Sequence, residues 1–309
     1  MKVPNETRSP SGEPPSANGA SARTARLLIS CPDRQGVVAR VAGFLADEGA
    51  NILDADQHTD PASRSFFMRV EFEGGPEVAD RSAFESRFGP LADDLGLKWE
   101  VRWPGRVKRI AILAGPSTHC VSDLLWRFDS GELAGEVTRV VSNHTASARF
   151  AEQFGRAFDH EEVRKGAEAE QEAAVRAILE ADDAQDGGLD LIILARYMRV
   201  LSPAFVDRFA GRIINIHHSF LPAFQGARPY HRAFDRGVKL IGATSHYVTA
   251  DLDEGPIIAQ DVVRVSHRDT IEDLVRKGRD LERVVLAEAV RAHLDDRVLV
   301  HGPRTIVFD

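Results

Sequence analysis

Four segments constrain this chain more than any others. RIAILAG from Arg109, EVTRVVSN from Glu136, LDLIILAR from Leu189 and RIINIHHS from Arg212 read as apolar strands separated by stretches of helical spacing. Leu191–Leu194 is apolar at every position, a pattern a strand tolerates where both faces of its sheet are covered. Strands of this kind alternating with helices predict a parallel sheet flanked by helices, a doubly wound, Rossmann-like α/β layer. The rhythm differs ahead of the break at Pro104-Gly105. ARLLISC reads as a strand, GVVARVAGFLADEG as an amphipathic helix, and ANILDADQHTD and SFFMRVEFEG as two strands. A helical stretch around Val78–Leu95 and the period-two strand LKWEVRW follow. That order is βαββαβ, a ferredoxin-like split. The long stretch Thr270–Leu294 predicts a helix with Ile271, Leu274, Val275, Leu281, Val284 and Val285 on one face and Thr270 with Asp273 as a capping pair. Glu161–Asp183 reads as a solvated helix, and RVLVHG with RTIVFD as a closing pair of strands.

Two rhythms in 309 residues fit two domains, since one domain typically takes about 100–200 residues. The boundaries expected are a disordered tail over 1–22, a first domain over 23–104 and a second over 105–309. The tail is rich in Pro, Ser, Gly and Asn and holds no apolar run, unlike a signal peptide, and no stretch is apolar enough for a membrane span. With 39 Lys and Arg against 47 Asp and Glu, the formal charge is −8, the wrong sign for a nucleic-acid partner. Cys31 and Cys120 lie far apart without CxxC spacing, which suggests neither a disulfide framework nor a thiolate metal cage and fits the cytoplasm.

Chemistry-bearing residues concentrate late in the chain. The strand Ile213–His217 delivers Asn215 and His217, then His218 and Ser219, before breaking at Leu221-Pro222. Residues two apart project from the same strand face, so an amide and an imidazole can approach one carbonyl together. Downstream, Asp251, Asp253 and Glu254 precede the Gly255-Pro256 turn, and each is a candidate to orient an imidazole or a water. His217, His218, His231 and His246 cluster in sequence, but without HExxH spacing no metal is expected. Ala114–Cys120, after the first strand of the second domain, stands where a phosphate loop would but lacks its glycine pattern; it reads as a plain strand-to-helix turn.

The segment NIHHSFLPAFQGARPYHRAFDRGVKLIGATSHYVTADLDEGPIIAQD resembles the folate-dependent formyltransferase family, and CPDRQGVVARVAGFLADEGANI resembles an ACT domain. The resemblance covers nearly the whole chain past the tail. It implies a ferredoxin-like ACT domain followed by a formyltransferase-fold hydrolase domain from about Lys108. It also implies hydrolysis of a linear amide-type C–N bond, with 10-formyltetrahydrofolate as substrate, tetrahydrofolate and formate as products, and no bound cofactor. The role implied is in one-carbon and purine metabolism. Asn215, His217 and Asp253 match the family's catalytic set, His246 a supporting histidine, and Met198, Arg199 and Leu201 the loop that grips the folate.

Two other readings stand beside it. One is formyl transfer to glycinamide ribonucleotide, disfavoured because GPSTHC is not the Gly-Ser-Asn-rich cradle of those relatives and because of the added front domain. The other is a non-catalytic folate or amino-acid sensor. A sensor has little reason to keep three polar groups at an apolar strand end, where each costs about 1–3 kcal/mol if unpaired. The front domain has two readings: as an ACT-like module it offers Asp33 and Gly36, before the first helix, as an effector site for an amino-acid carboxylate, and as a structural element it pairs with its copy in a homo-oligomer, because small exposed sheets commonly need covering.

Overall fold

The computed structural model describes residues 24–74, 80–185, 187–222 and 229–309. The expected disordered tail, the start of the second helical stretch at Val78 and the QGAR segment lie outside the described residues. The chain divides into two compact units, residues 24–55 with 70–105 and residues 56–69 with 106–309. A single cut at 104–105 would place 56–69 in the first unit. Within the second unit these residues are tied by Arg69, whose Nε donates to the Asp296 carbonyl at 3.2 Å, and by Arg304, which donates to Asp60 at 2.6 Å.

The chain up to 105 runs β1 (Thr24–Pro32), α1 (Val37–Asp47), β2 (Asn51–Asp60), β3 (Ser65–Glu73), α2 (Arg81–Leu95) and β4 (Lys98–Arg102), with the parts of β2 and β3 inside 56–69 belonging to the second unit. Its strands lie in the order β2-β3-β1-β4, the ferredoxin-like arrangement, with β1 antiparallel to β4. Period-two residues Leu27 and Ile29 and helical-period residues Val41, Leu45, Phe84 and Phe88 are all fully buried. Asp80 caps α2, accepting from the Ala83 N–H at 3.0 Å, and the helix stops at Gly96 in the left-handed region that glycine tolerates best.

The second unit continues with β5 (Arg109–Ala114), α3 (His119–Asp129), β6 (Glu136–Ser142), α4 (Ala148–Gln153), β7 (Ala157–His160) and α5 (Glu168–Asp183). Then come β8 (Leu191–Ala195), α6 (Pro203–Arg208), β9 (Ile213–His217), α7 (Pro229–Arg236), β10 (Leu240–Tyr247), β11 (Ile257–Arg264), α8 (Ile271–Leu294), β12 (Val298–His301) and β13 (Arg304–Val307). Seven strands form one sheet in the order β11-β10-β9-β8-β5-β6-β7. The five from β9 to β7 are parallel, while β10 and β11 run antiparallel at one side. β12 and β13 form the expected closing hairpin. The Glu161–Asp183 helix begins later, at Glu168.

Alternation along the strands fills two cores, as the apolar runs require. Ile110, Ile112, Leu191, Ile193 and Ile214 pack with α3 and α8. Their neighbours Ala111, Leu113, Ile192, Leu194 and Ile213 pack with α5 and α6. α8 carries the capping box formed by Thr270 and Asp273. Its buried stripe differs from expectation in two places: Val284 is exposed, and the charged Glu282 is only 1% exposed. From β5 the chain winds to β6 and β7, then crosses to β8 and β9 on the other side. Connections therefore leave β5 and β8 in opposite directions, which opens a crevice outside their carboxyl ends, where sheets of this type bind ligands.

Candidate active site

Three segments of the second unit line a cleft of about 550 Å³: 196–201 after β8, 215–218 at the end of β9, and 246–253 at the end of β10. Asn215 and His217 continue the strand face that Ile213 begins. They stand where helices no longer cover it, so polar atoms end up at the edge of an apolar core.

β10 runs antiparallel to β9, with His246 opposite Asn215. His246 Nδ1 lies 2.9 Å from the Tyr247 carbonyl, a pairing that places its proton on Nδ1 and leaves Nε2 an acceptor. Nε2 then accepts from Asn215 Nδ2 at 3.2 Å, which fixes the amide with its NH₂ turned to the histidine. Burial holds His246 below the ordinary imidazole range, so it stays neutral and supports Asn215 without adding charge.

A chain leaving β10 at Tyr247 has already passed Asn215 and must fold back for Asp253 to reach His217. The return is tight: a Cβ on Gly255 would lie 1.7 Å from the Tyr247 carbonyl oxygen, so only glycine fits there. Asp253 itself has φ 58°. Its Oδ1 lies 3.2 Å from His217 Nδ1 and 3.8 Å from His246 Nε2. The His217 hydrogen bond keeps the Asp253 carboxyl below the usual carboxylate range despite partial burial, so it is ionised at neutral pH. Of the three acids that sequence leaves open, Asp253 faces the imidazole, Asp251 lines the cleft without doing so, and Glu254 is exposed. His217 Nε2 is buried and has no partner.

The segment 196–202 forms the opposite wall. Gln171 donates to the Tyr197 hydroxyl at 3.1 Å, Glu172 accepts from the Ser202 N–H at 2.8 Å, and Ser202 caps α6. Met198 is 61% exposed, and Met198, Arg199 and Leu201 all line the cleft. A Cβ on Gly115 would sit 1.8 Å from the Arg196 carbonyl oxygen, so the β5–α3 turn is pressed against this wall. Among the described residues five non-glycines have left-handed φ, and three of them, Arg196 at 60°, Met198 at 58° and Asp253 at 58°, line the cleft. Such strain, about 1–3 kcal/mol per residue, gathers at functional sites.

Beside the cleft lies a cluster that sequence reasoning missed. The buried Glu282 carboxylate accepts from the Tyr230 hydroxyl at 2.6 Å, pairs with His119 Nε2 at 2.8 Å and lies 3.4 Å from Arg196 Nε. Its one sequence signal is a charge inside the apolar stripe of α8. His119, Cys120 and Glu282 each place one potential ligand atom within 4.8 Å of the others. Burial holds the Cys120 thiol well above its usual range, however, and Glu282 already accepts from Tyr230 and pairs with His119 while facing the Arg196 charge, a poor fit to a cation. Of the four clustered histidines, His217, His218 and His246 meet at the cleft, while His231 sits exposed on α7.

Burial first, then the Arg196 and His217 charges, push His218 down to about 3. An imidazole with a depressed folded pKa binds fewer protons folded than unfolded, so stability is lost as pH falls below about 6.5. We expect the thermal midpoint to drop steadily from pH 6.5 toward 3 and the slope to flatten in His218→Asn. An unchanged slope would mean that His218 is protonated without strain in the fold.

In the first unit, Asp33 and Gly36 precede α1. Gly36 has φ 88° at the helix N-terminus, and no side chain caps that end.

The formyl transferase family model matches residues 108–290, and the ACT domain model matches residues 25–82. A formyltetrahydrofolate deformylase of Synechocystis sp. is 50% identical over 92% of this chain and 98% of its own length. One of Bacillus subtilis is 47% identical over 92% and 93%. The crystal structure of a formyltetrahydrofolate deformylase from Pseudomonas syringae pv. tomato superposes with a TM-score of 0.88 at 46% identity, covering 93% of this chain and 95% of that one. The chain belongs to the formyl transferase family, among its formyltetrahydrofolate deformylases.

Proposed function

We propose that this chain hydrolyses 10-formyltetrahydrofolate to tetrahydrofolate and formate, with Asn215, His217 and Asp253 performing the chemistry. Identity of 50% and 47% to deformylases over 92% of this chain supports the reaction. The observation that carries the site assignment is the His217 imidazole, gripped by Asp253 through Nδ1 while its Nε2 is buried and unpartnered beside the Asn215 amide.

The pterin-bearing substrate lies against 196–201, with Met198, Arg199 and Leu201 as its contacts. Asn215, oriented by His246, donates to the formyl oxygen and stabilises the oxyanion as water adds to the formyl carbon. Asp253 holds His217 and assists the attacking water. The C–N10 bond then breaks, N10 takes a proton through His217, and formic acid leaves as formate, so each turnover releases one proton at neutral pH.

The first unit serves assembly in this reading. β2 lies at the sheet edge and is exposed along most of its length, an edge that a second copy would cover. The turn from Asp33 to Gly36 is our candidate for an amino-acid effector. We take 23–104 and 105–309 as the functional domains and the cytoplasm as the compartment. Among the described residues no helix is long and apolar enough to cross a membrane.

The test is formate release from 10-formyltetrahydrofolate by the chelator-treated full chain, with and without glycinamide ribonucleotide. Release without the nucleotide is expected. Formyl transfer only in its presence would make the chain a transformylase, and no turnover at all would leave a folate sensor.

A further inference from the structure

Hydrolysis produces an anion, formate, in a cleft that already holds the Asp253 carboxylate, and something must offset that repulsion. His218 and His246 are poorly suited, since burial holds both below the ordinary imidazole range. Arg196 lines the same cleft. Its side chain is 13% exposed, its Nε lies 3.4 Å from Glu282 Oε2, and Nε and Nη1 are both buried without a hydrogen-bond partner. An ion pair built for stability uses the guanidinium fork fully, because a buried donor left unmatched costs free energy. Among the described residues, three of the six buried side-chain atoms without partners belong to cleft residues: the two on Arg196 and Nε2 of His217. Glu282 offsets the charge of Arg196 without occupying its donors. Its other contacts, to His119 and Tyr230, keep the carboxylate in place.

We infer that Arg196 is the formate-binding residue of this cleft, a guanidinium kept partly unpaired to receive the small carboxylate released beside His217. This rests on the hydrolase reading above. Arg196 receives the product anion as the C–N10 bond breaks and holds it until it exits.

The experiment measures formate product inhibition and ¹³C-formate NMR binding on the full chain, unaltered and as Arg196→Met, Arg196→Lys and Glu282→Gln. Arg196→Met is expected to raise the formate inhibition constant by about tenfold or more, the loss of charge-assisted hydrogen bonds, and to abolish formate line broadening. Arg196→Lys recovers part of the effect. Glu282→Gln, which unmasks the cation, is expected to tighten formate binding. A structural ion pair predicts that the Arg196→Met and Glu282→Gln variants lose stability together and leave the formate constant unmoved, which would overturn the inference. Should Arg196→Met fail to fold, the opposite signs expected for Arg196→Lys and Glu282→Gln still decide. Absence of turnover in the unaltered chain sinks the hydrolase reading; turnover with formate constants unmoved in every variant sinks this inference alone.

Discussion

Asp253→Asn is expected to fold normally and to lose about 10²–10⁴-fold in kcat, the range for removing a positioned acid–base partner. The substitution keeps size and shape, so the left-handed backbone at 253 is preserved by a residue type that also tolerates it. What disappears is the negative charge 3.2 Å from His217 Nδ1. The imidazole then loses both its counter-charge and the acceptor that fixes its tautomer, and the water loses a proton acceptor. The expected split is informative: in the proposed mechanism Asp253 acts at the reacting centre rather than at the proposed folate wall, so KM should stay within about threefold while kcat collapses. Retention of kcat would return the choice to Asp251, the other acid lining the cleft.

The second large effect is expected at Asn215→Ala, about 10²–10³ in kcat, the range for one oxyanion donor. The cause is distinct from that at Asp253. Asn215 contributes a neutral donor aimed by His246, and its removal leaves pH dependence intact while raising the barrier at every pH. His246→Gln, which keeps an acceptor near the amide but not its geometry, is expected to fall between the unaltered chain and Asn215→Ala. Steady-state kinetics across pH 5–9 separates the cases. A rise in KM with unchanged kcat would show that Asn215 serves ground-state binding rather than the transition state.

Sequence revealed the sheet where strands were apolar on both faces, as at Leu191–Leu194, and the α8 start where Thr270 and Asp273 form a local cap. It also revealed the pairing of Asn215 with His217, because strand period alone places them on one face. β7, four residues reading AFDH, carries no such pattern and was missed. The antiparallel sense of β10 and β11 is a property of connections rather than of residues. The choice of Asp253 over Asp251 and Glu254 depends on a backbone turn forced by Gly255 and Tyr247. Likewise, Glu282 meets His119 across 163 residues of sequence, and only the crossing of α3 with α8 joins them.

The left-handed residues around the cleft bear on how such a chain could evolve. A selection for heat resistance alone would press on Arg196, Met198 and Asp253, where glycine relaxes the backbone, though at Arg196 and Asp253 only by giving up the contacts with Glu282 and His217. Every such gain would come from the wall proposed to hold the folate and from the carboxylate that grips the His217 imidazole. Lineages of this fold that move to hotter habitats are therefore expected to find their sturdiness in surface loops and helix caps, and to leave these three uncomfortable positions as they are.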